Sequence, residues 1–305
     1  MIGLSTSWLT ERPDMTGPNV IEEIVSLGFR AVELEYRITE PMFREMRPLI
    51  RREKLKVSSL HNFFPLPDDV PTSRASGDLF VLSSPDEGER DRAVEKTIRT
   101  IETAQSLGAL AVVLHLGRVN MEPEYDRLHA FFRDKVLDSP EGKRFLEDKL
   151  KERRKKRGPY LESVLHSLDR LNREAEDRGV VLGVENRYHY HEIPDFEEIG
   201  HILGRFSGGS VCYWHDVGHA HVQERLGFLE PGALLRSYGS MLIGVHLHDA
   251  FGTDDHRAPG AGEIDFLALG KSIGSAHIRI LEVHKKSSRE ELLRGRDMLE
   301  RIGLG

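Results

Sequence analysis

Residues 180–192 read VVLGVENRYHYHE. Val180, Val181, Leu182 and Val184 make a short apolar run that lacks apolar–polar alternation and stops at Glu185. Strands of a parallel sheet look like this, because both of their faces are buried. A carboxylate at the end of such a run lies where a strand hands over to its loop.

The pattern recurs along the chain at Ile2–Ser7, Ala31–Tyr36, Lys56–His61, Ala111–His115, Ser210–Asp216, Leu242–His248 and Ile278–Val283. Amphipathic stretches alternate with these runs. Val20–Leu27 closes at Gly28, and Pro41–Glu53 is a second helix. Ser84-Pro85-Asp86-Glu87 predicts a helix start, with Ser84 as cap and Glu87 completing a capping box; the helix runs to Leu107. Tyr160–Asp177, Asp195–Phe206 and Ser288–Ile302 complete the series. Strand–helix alternation implies right-handed crossovers and a parallel sheet. Eight strands favour closure, so the expected fold is α/β, a (β/α)8 TIM barrel, as a single domain over residues 1–305. Such barrels need about 250 residues, so the 305 residues here leave room for an insertion.

That insertion is Val119–Arg157, after the fourth strand. It ends in KLKERRKKR (149–157), read as a solvated helix face, with phosphate or nucleic-acid binding as the minor alternative. Insertions after barrel strands sit on the catalytic face, so this segment is also a candidate lid.

Composition narrows the function. A charged fraction of 30% and a net charge of −7 describe an ordinary surface, not the basic face of a dedicated nucleic-acid binder. The single cysteine, Cys212, allows no intrachain disulfide and fits a reducing compartment, the cytoplasm. MIGLSTSWL at the start has no basic region before a long apolar stretch, so no signal peptide is expected. No apolar run reaches the ~20 residues of a membrane helix. There is no Walker loop and no G-x-G-x-x-G after a strand. GKSIG (270–274) falls in an expected helix, not at a strand-to-helix elbow, and is read as chance.

The chemistry gathers at the run ends. They carry His61, His115, Glu185, Asp216 with His219, His246, then Asp254 and His256 in the next loop, and Glu282. In a closed parallel barrel these side chains meet at one mouth. Glu185 and Glu282 can bridge a metal or flank a substrate carbon as base and acid. Asp216 and His219 form a D-x-x-H turn; the plainer reading is an aspartate capping the next helix. His246 and His248 are two apart and share a strand face; His246 is favoured as the ligand. Arg257, before the turn Pro259–Gly262, suits an oxyanion. Glu, Asp, His and Glu make an oxygen–nitrogen shell suited to Mn²⁺, Zn²⁺ or Co²⁺.

GFRAVELEY, SSLHNFFP, VVLHLGR, GVENRY, DVGHA, VHLHDA and DDHRAPGAGEIDF together resemble the xylose isomerase-like TIM-barrel superfamily. It includes sugar phosphate isomerases and epimerases and the AP endonucleases of family 2. The resemblance implies a divalent-metal-dependent isomerase or epimerase of a sugar or sugar phosphate, working through a metal-bound enediolate. It implies one ion on Glu185, Asp216, His246 and Glu282, with Glu185 and Glu282 also moving the proton. His61, His115, His219 and Arg257 are the expected substrate contacts. The endonuclease branch implies three zinc ions instead, adding His61, His115, His219, Asp254 and His256 as ligands, in a phosphoesterase acting on abasic DNA. The sugar reading ranks first. The loops that would read DNA, SWLTERPDMTGPN (7–19) and YRITEP (36–41), are short and each carries acid. Phe63 and Phe64 in the third loop are candidates to pack on a sugar face or to plug the barrel. Relatives of this kind are often homo-oligomers, but no stripe in this sequence marks an interface.

Overall fold

The computed structural model describes residues 1–13 and 15–305. Eight strands close into a barrel: β1 (Gly3–Ser5), β2 (Ala31–Leu34), β3 (Lys56–His61), β4 (Ala111–Leu114), β5 (Val181–Glu185), β6 (Val211–Asp216), β7 (Leu242–Leu247) and β8 (Ile278–Leu281). Each pairs in parallel with its sequence neighbours, and β8 returns to β1. This is the (β/α)8 barrel that the apolar runs predict.

The outer layer includes α1 (Gly17–Ser26), α2 (Glu40–Arg52), α3 (Glu87–Leu107), α4 (Tyr125–Arg133), α5 (Pro140–Lys156), α6 (Gly158–Arg178), α7 (Phe196–Arg205), α8 (Val217–Arg225), α9 (Ala233–Tyr238) and α10 (Arg289–Arg301). Among the described residues, no helix is long and apolar enough to cross a membrane. The start of α3 differs from expectation. Asp86, not Ser84, is the cap, accepting from the Glu89 N–H at 2.8 Å. Ser84 Oγ instead donates to Glu89 Oε2. The shorter carboxylate reach from Asp86 wins the amide, and the serine is left to tie down the glutamate.

Trp214 fills the barrel interior. A Cβ at Gly183 would lie 2.9 Å from its indole, and one at Gly244 would lie 2.3 Å away. These two glycines are therefore where β5 and β7 make room for the ring. Two residues further along the same strands, Glu185, Asp216 and His246 share that inward face. The indole meets the His246 ring edge-on at 5.0 Å, so Trp214 is the floor of whatever sits at the mouth.

Phe63 and Phe64 are each 1% exposed and pack edge-on against Phe80 and Phe43. They belong to the core beneath the loop and do not face the mouth.

The insertion folds as α4 and α5 over a small core in which its Met121, Leu128 and Phe145 pack with Tyr190, Val222 and Leu226 of the barrel side. The expectation of a wholly solvated basic face is corrected here. Lys149 and Arg153 are four apart, so they share one side of α5, and that side faces the barrel. Arg153 is 1% exposed; it forks onto Glu198 at 2.7 and 2.9 Å and donates to the Glu192 carbonyl at 2.7 Å. Lys149 donates to the Glu122 carbonyl at 2.8 Å and pairs with Glu124. Lys151, Arg154, Lys155 and Lys156 take the solvated side.

Candidate metal centre

The top inward layer of the barrel holds three overlapping groups of metal-ligand side chains. They are His61, His115 and Glu185; Glu185, Asp216, His246 and Glu282; and Asp216, His219 and His256. Within each group one donor atom per residue lies within 4.8 Å of the others. Glu185 belongs to two groups, and so does Asp216.

Around Glu185, Oε1 is 2.9 Å from His246 Nδ1, while Oε2 is 2.8 Å from His115 Nε2 and 3.5 Å from His61 Nε2. His246 Nδ1 is also 2.9 Å from Glu282 Oε2 and 3.7 Å from Asp216 Oδ2. His219 Nδ1 is 3.5 Å from Asp216 Oδ1.

Each of four histidines is anchored from behind. His61 Nδ1 lies 3.0 Å from the Asn62 carbonyl, and His115 Nδ1 lies 3.1 Å from Asp78 Oδ2. His219 Nδ1 lies 3.1 Å from the Asn186 carbonyl, and His246 Nε2 lies 3.0 Å from Glu33 Oε1. Carbonyls and carboxylates only accept, so each of these nitrogens carries the proton. The opposite nitrogen is the one left to a cation once any proton on it is displaced, and such back-bonding is how metal-binding imidazoles are held.

Glu33 was not among the expected site residues. It is fully buried, accepts from Ser59 Oγ at 2.7 Å, and sits in the quoted GFRAVELEY run. Its one signal in the sequence is an acid on the inward face of an otherwise apolar strand. Asp78 and Arg187 were missed as well. Arg187 Nη2 joins Asp78 Oδ2 at 2.7 Å to Glu192 Oε1 at 3.0 Å, so the acid that orients His115 is itself clamped.

Burial and charge oppose each other here. Burial alone would raise the Glu185 and Asp216 carboxyls. The imidazoles of His246, His115 and His61 hold Glu185 well below its usual range, and those of His219, His248 and His246 do so for Asp216. Burial would depress His246, but Glu282, Glu33 and Glu185 outweigh it and carry the imidazole well above its ordinary value. His115 is drawn down by burial and Arg187 and pushed up more strongly by Asp78 and Glu185, to about 9. His256 reaches about 9 as well, because Asp255 and Glu282 overcome its burial.

These residues fit a divalent cation. Glu185 Oε2 is a buried oxygen with imidazoles close by but no aligned hydrogen bond, and His256 Nδ1 is a buried nitrogen in the same condition, 3.0 Å from Asp255 Oδ1. Orphaned buried polar atoms are rare unless an ion or water completes them. Nitrogen and carboxylate donors without thiolate suit Mn²⁺, Co²⁺ or Zn²⁺.

Two expected residues stand apart. Asp254 pairs with Arg257 at 2.6 Å and with Lys286, and is half exposed. Arg257 is committed to that pair. Asp255 takes the inward place, with Oδ2 3.7 Å from His219 Nε2. The cause is local backbone. Asp249–Phe251 and Asp254–Arg257 form a hairpin, and His256 within it has φ +53°. Regular alternation would send Asp254 and His256 to one face; the left-handed residue breaks the alternation and turns Asp255 inward beside His256.

The insertion borders this mouth. Tyr125, at the start of α4, stacks on His189 at 4.0 Å, and its hydroxyl is 2.6 Å from His191 Nδ1. Tyr188 donates to the Thr253 carbonyl at 2.6 Å and meets the His219 ring edge-on at 5.9 Å. Phe132, in α4, lies against Gly252 at the hairpin tip.

Comparison with known proteins agrees with this architecture. The sequence model of the xylose isomerase-like TIM barrel matches residues 21–302. The protein y4fM of Sinorhizobium fredii (strain NBRC 101917 / NGR234) is 27% identical over 194 residues, which is 63% of this chain and 51% of that protein. This chain therefore matches about half the length of that relative. Among solved structures, a D-tagatose 3-epimerase-like protein superposes with TM-score 0.67 at 20% identity, covering 99% of this chain and 96% of its own. L-ribulose 3-epimerase superposes with TM-score 0.66 at 16% identity, covering 99% and 94%.

Proposed function

The chain belongs to the xylose isomerase-like TIM-barrel family, and from that premise we propose that it is a divalent-metal-dependent isomerase or epimerase of a sugar or sugar phosphate. The observation that carries the reading is the convergence of Glu185, Asp216, His246 and Glu282 at the barrel mouth. The epimerase names of full-length structural neighbours support it. So does the insertion, which we read as a lid. Tyr125 of α4 stacks on His189 and Phe132 of α4 lies against Gly252, so the segment that would close borders the mouth on two sides.

A divalent ion held by the four residues supplies a Lewis acid for a sugar carbonyl and its neighbouring hydroxyl. The chain does the rest. Glu282 is 7% exposed, the most solvent-facing of the four ligand candidates, and removes the proton from the carbon next to the carbonyl. Glu185, three strands away around the barrel, faces the flattened carbon from the other side and passes it a proton drawn from solvent, since the carboxylate itself is held ionised. His61, His115 and His219 line the same mouth and take sugar oxygens. The buried Glu33 keeps the His246 ring from turning, so the geometry is fixed before substrate arrives.

The test is exchange with solvent. Ketoses and aldoses incubated with the metal-loaded protein in D₂O should gain deuterium at the carbon next to the carbonyl. Glu282→Gln should cut that gain by about 10²–10⁴-fold, the usual share of a general acid or base. Undiminished exchange in this variant removes Glu282 from the role.

One observation favours a second reading, a three-zinc phosphoesterase of the AP endonuclease type. Glu185 and Asp216 each join two ligand groups, as carboxylates shared between neighbouring ions would. Elemental analysis separates the two: one metal per chain supports the sugar enzyme, and three support hydrolysis.

A further inference from the structure

His248 lies two residues beyond His246, and both of its ring nitrogens are committed. The backbone N–H of His256 donates to His248 Nδ1 at 2.9 Å. A neutral imidazole that accepts at one nitrogen carries its proton on the other. His248 Nε2–H therefore donates to Asp216, whose two oxygens lie at 2.9 and 3.0 Å. With no lone pair to spare, His248 is not itself a ligand candidate.

Its ring is nonetheless closely fitted. A Cβ at Gly218 would lie 2.1 Å from His248 Cε1, so the glycine of D-V-G-H is the recess that admits the ring. The ring also stacks on His256 at 4.1 Å and 10°. His256 holds its left-handed backbone, φ +53°, between two hydrogen bonds. Its N–H goes to His248, and its carbonyl accepts from the His284 N–H at 3.1 Å. Positive φ is uncommon for any residue but glycine, and these two bonds hold it.

We propose that His248 is a positioning residue for the metal site at the barrel mouth, fixing the Asp216 carboxylate and the backbone of His256 at once. One face of the imidazole orients the Asp216 carboxylate, and the other latches His256 into the backbone conformation that turns its ring inward. Gly218 makes the bracket sterically possible. The inference rests on the reading of the barrel mouth as a metal site.

The test is a Co²⁺ titration of the full chain after chelation, followed by visible absorption and by elemental count, with circular dichroism as the check on folding. His248→Phe keeps a ring in the recess and removes both hydrogen bonds. It should weaken Co²⁺ binding by about 10–100-fold, the usual effect of losing a ligand's supporting partner, with the circular dichroism unchanged. His248→Asn returns an acceptor near the Nδ1 position and should recover much of that loss. Gly218→Ala, which pushes the ring out, should reproduce the Phe variant without touching either nitrogen. A Phe variant that titrates like the wild type overturns the proposal, and so does an Asn variant no better than Phe. An indifferent Phe variant overturns the proposal alone, whereas a wild-type chain that takes up no Co²⁺ overturns it together with the reading of the mouth as a metal site.

Discussion

Glu33 Oε1 lies 3.0 Å from His246 Nε2, inside the barrel, with both side chains fully buried. The carboxylate accepts from Nε2 and thereby leaves Nδ1, which faces Glu185, Asp216 and Glu282, as the nitrogen that a cation would take. Glu33→Gln disturbs that choice without changing size. An amide NH₂ facing Nε2 would move the imidazole proton to Nδ1, where it blocks a cation. Metal affinity should fall about 10–100-fold with the fold retained, read by competition with a chromophoric chelator. An unchanged affinity means that Glu33 is a packing residue and nothing more.

Metal uptake should also depend on pH in a defined direction. Without metal, His115 and His256 hold protons up to about 9, and an incoming cation must displace them. Affinity should therefore rise from pH 6 to 9, with proton release on binding. The metal-free protein should do the opposite. Both imidazoles sit above the ordinary histidine value of about 6.5, so the stability they contribute is whole below that pH and is lost as pH rises toward 9. Melting curves with and without chelator across this range should diverge; parallel curves would argue that these histidines do not face the cation.

Much of this is legible in the sequence, and what is not has physical causes. Strand runs such as Val180–Glu185 announce themselves because both faces are buried, and the residue at each run's end is fixed by chain direction alone. Asp216 is a case where two readings hold together: it caps α8, accepting from the His219 N–H at 2.7 Å, and still faces His246 and His248. The choice between Asp254 and Asp255 was hidden, since it turns on one left-handed residue that no spacing rule reveals. Arg153 was hidden for another reason. A basic run looks solvated until its acidic partners, here Glu198 and Asp195, come from 42 to 45 residues away.

Gly77 offers a steric probe of the first ligand group. A Cβ there would lie 2.7 Å from His115 Nδ1 and 2.9 Å from His61 Cε1, and its φ is not in the left-handed region. Gly77→Ala is therefore tolerable for the backbone but not for the two rings. It should displace the pair, loosen Asp78 from His115, and cost about 1–3 kcal/mol as an overpacked contact. With one ion on Glu185, Asp216, His246 and Glu282, the expected signature is a raised KM at unchanged metal content, because His61 and His115 take sugar oxygens. Lost metal would instead place the two histidines among the ligands.

Arg153 holds the insertion to the barrel, and its removal tests whether that segment works as a lid. The guanidinium is 1% exposed and forks onto Glu198, which is equally buried. Arg153→Met keeps length and bulk but strands the Glu198 charge. Breaking a buried pair from one side costs about 3–5 kcal/mol, and here the loss should fall first on local opening of the insertion, because the barrel core does not depend on it. Trypsin should then cut within residues 119–157 before the barrel unfolds. If the insertion closes the mouth, the variant should raise KM and leak solvent into the reaction while metal content stays unchanged. A variant that is nicked readily yet turns over substrate with wild-type KM would reduce the insertion to a scaffold that rests beside the mouth without serving it.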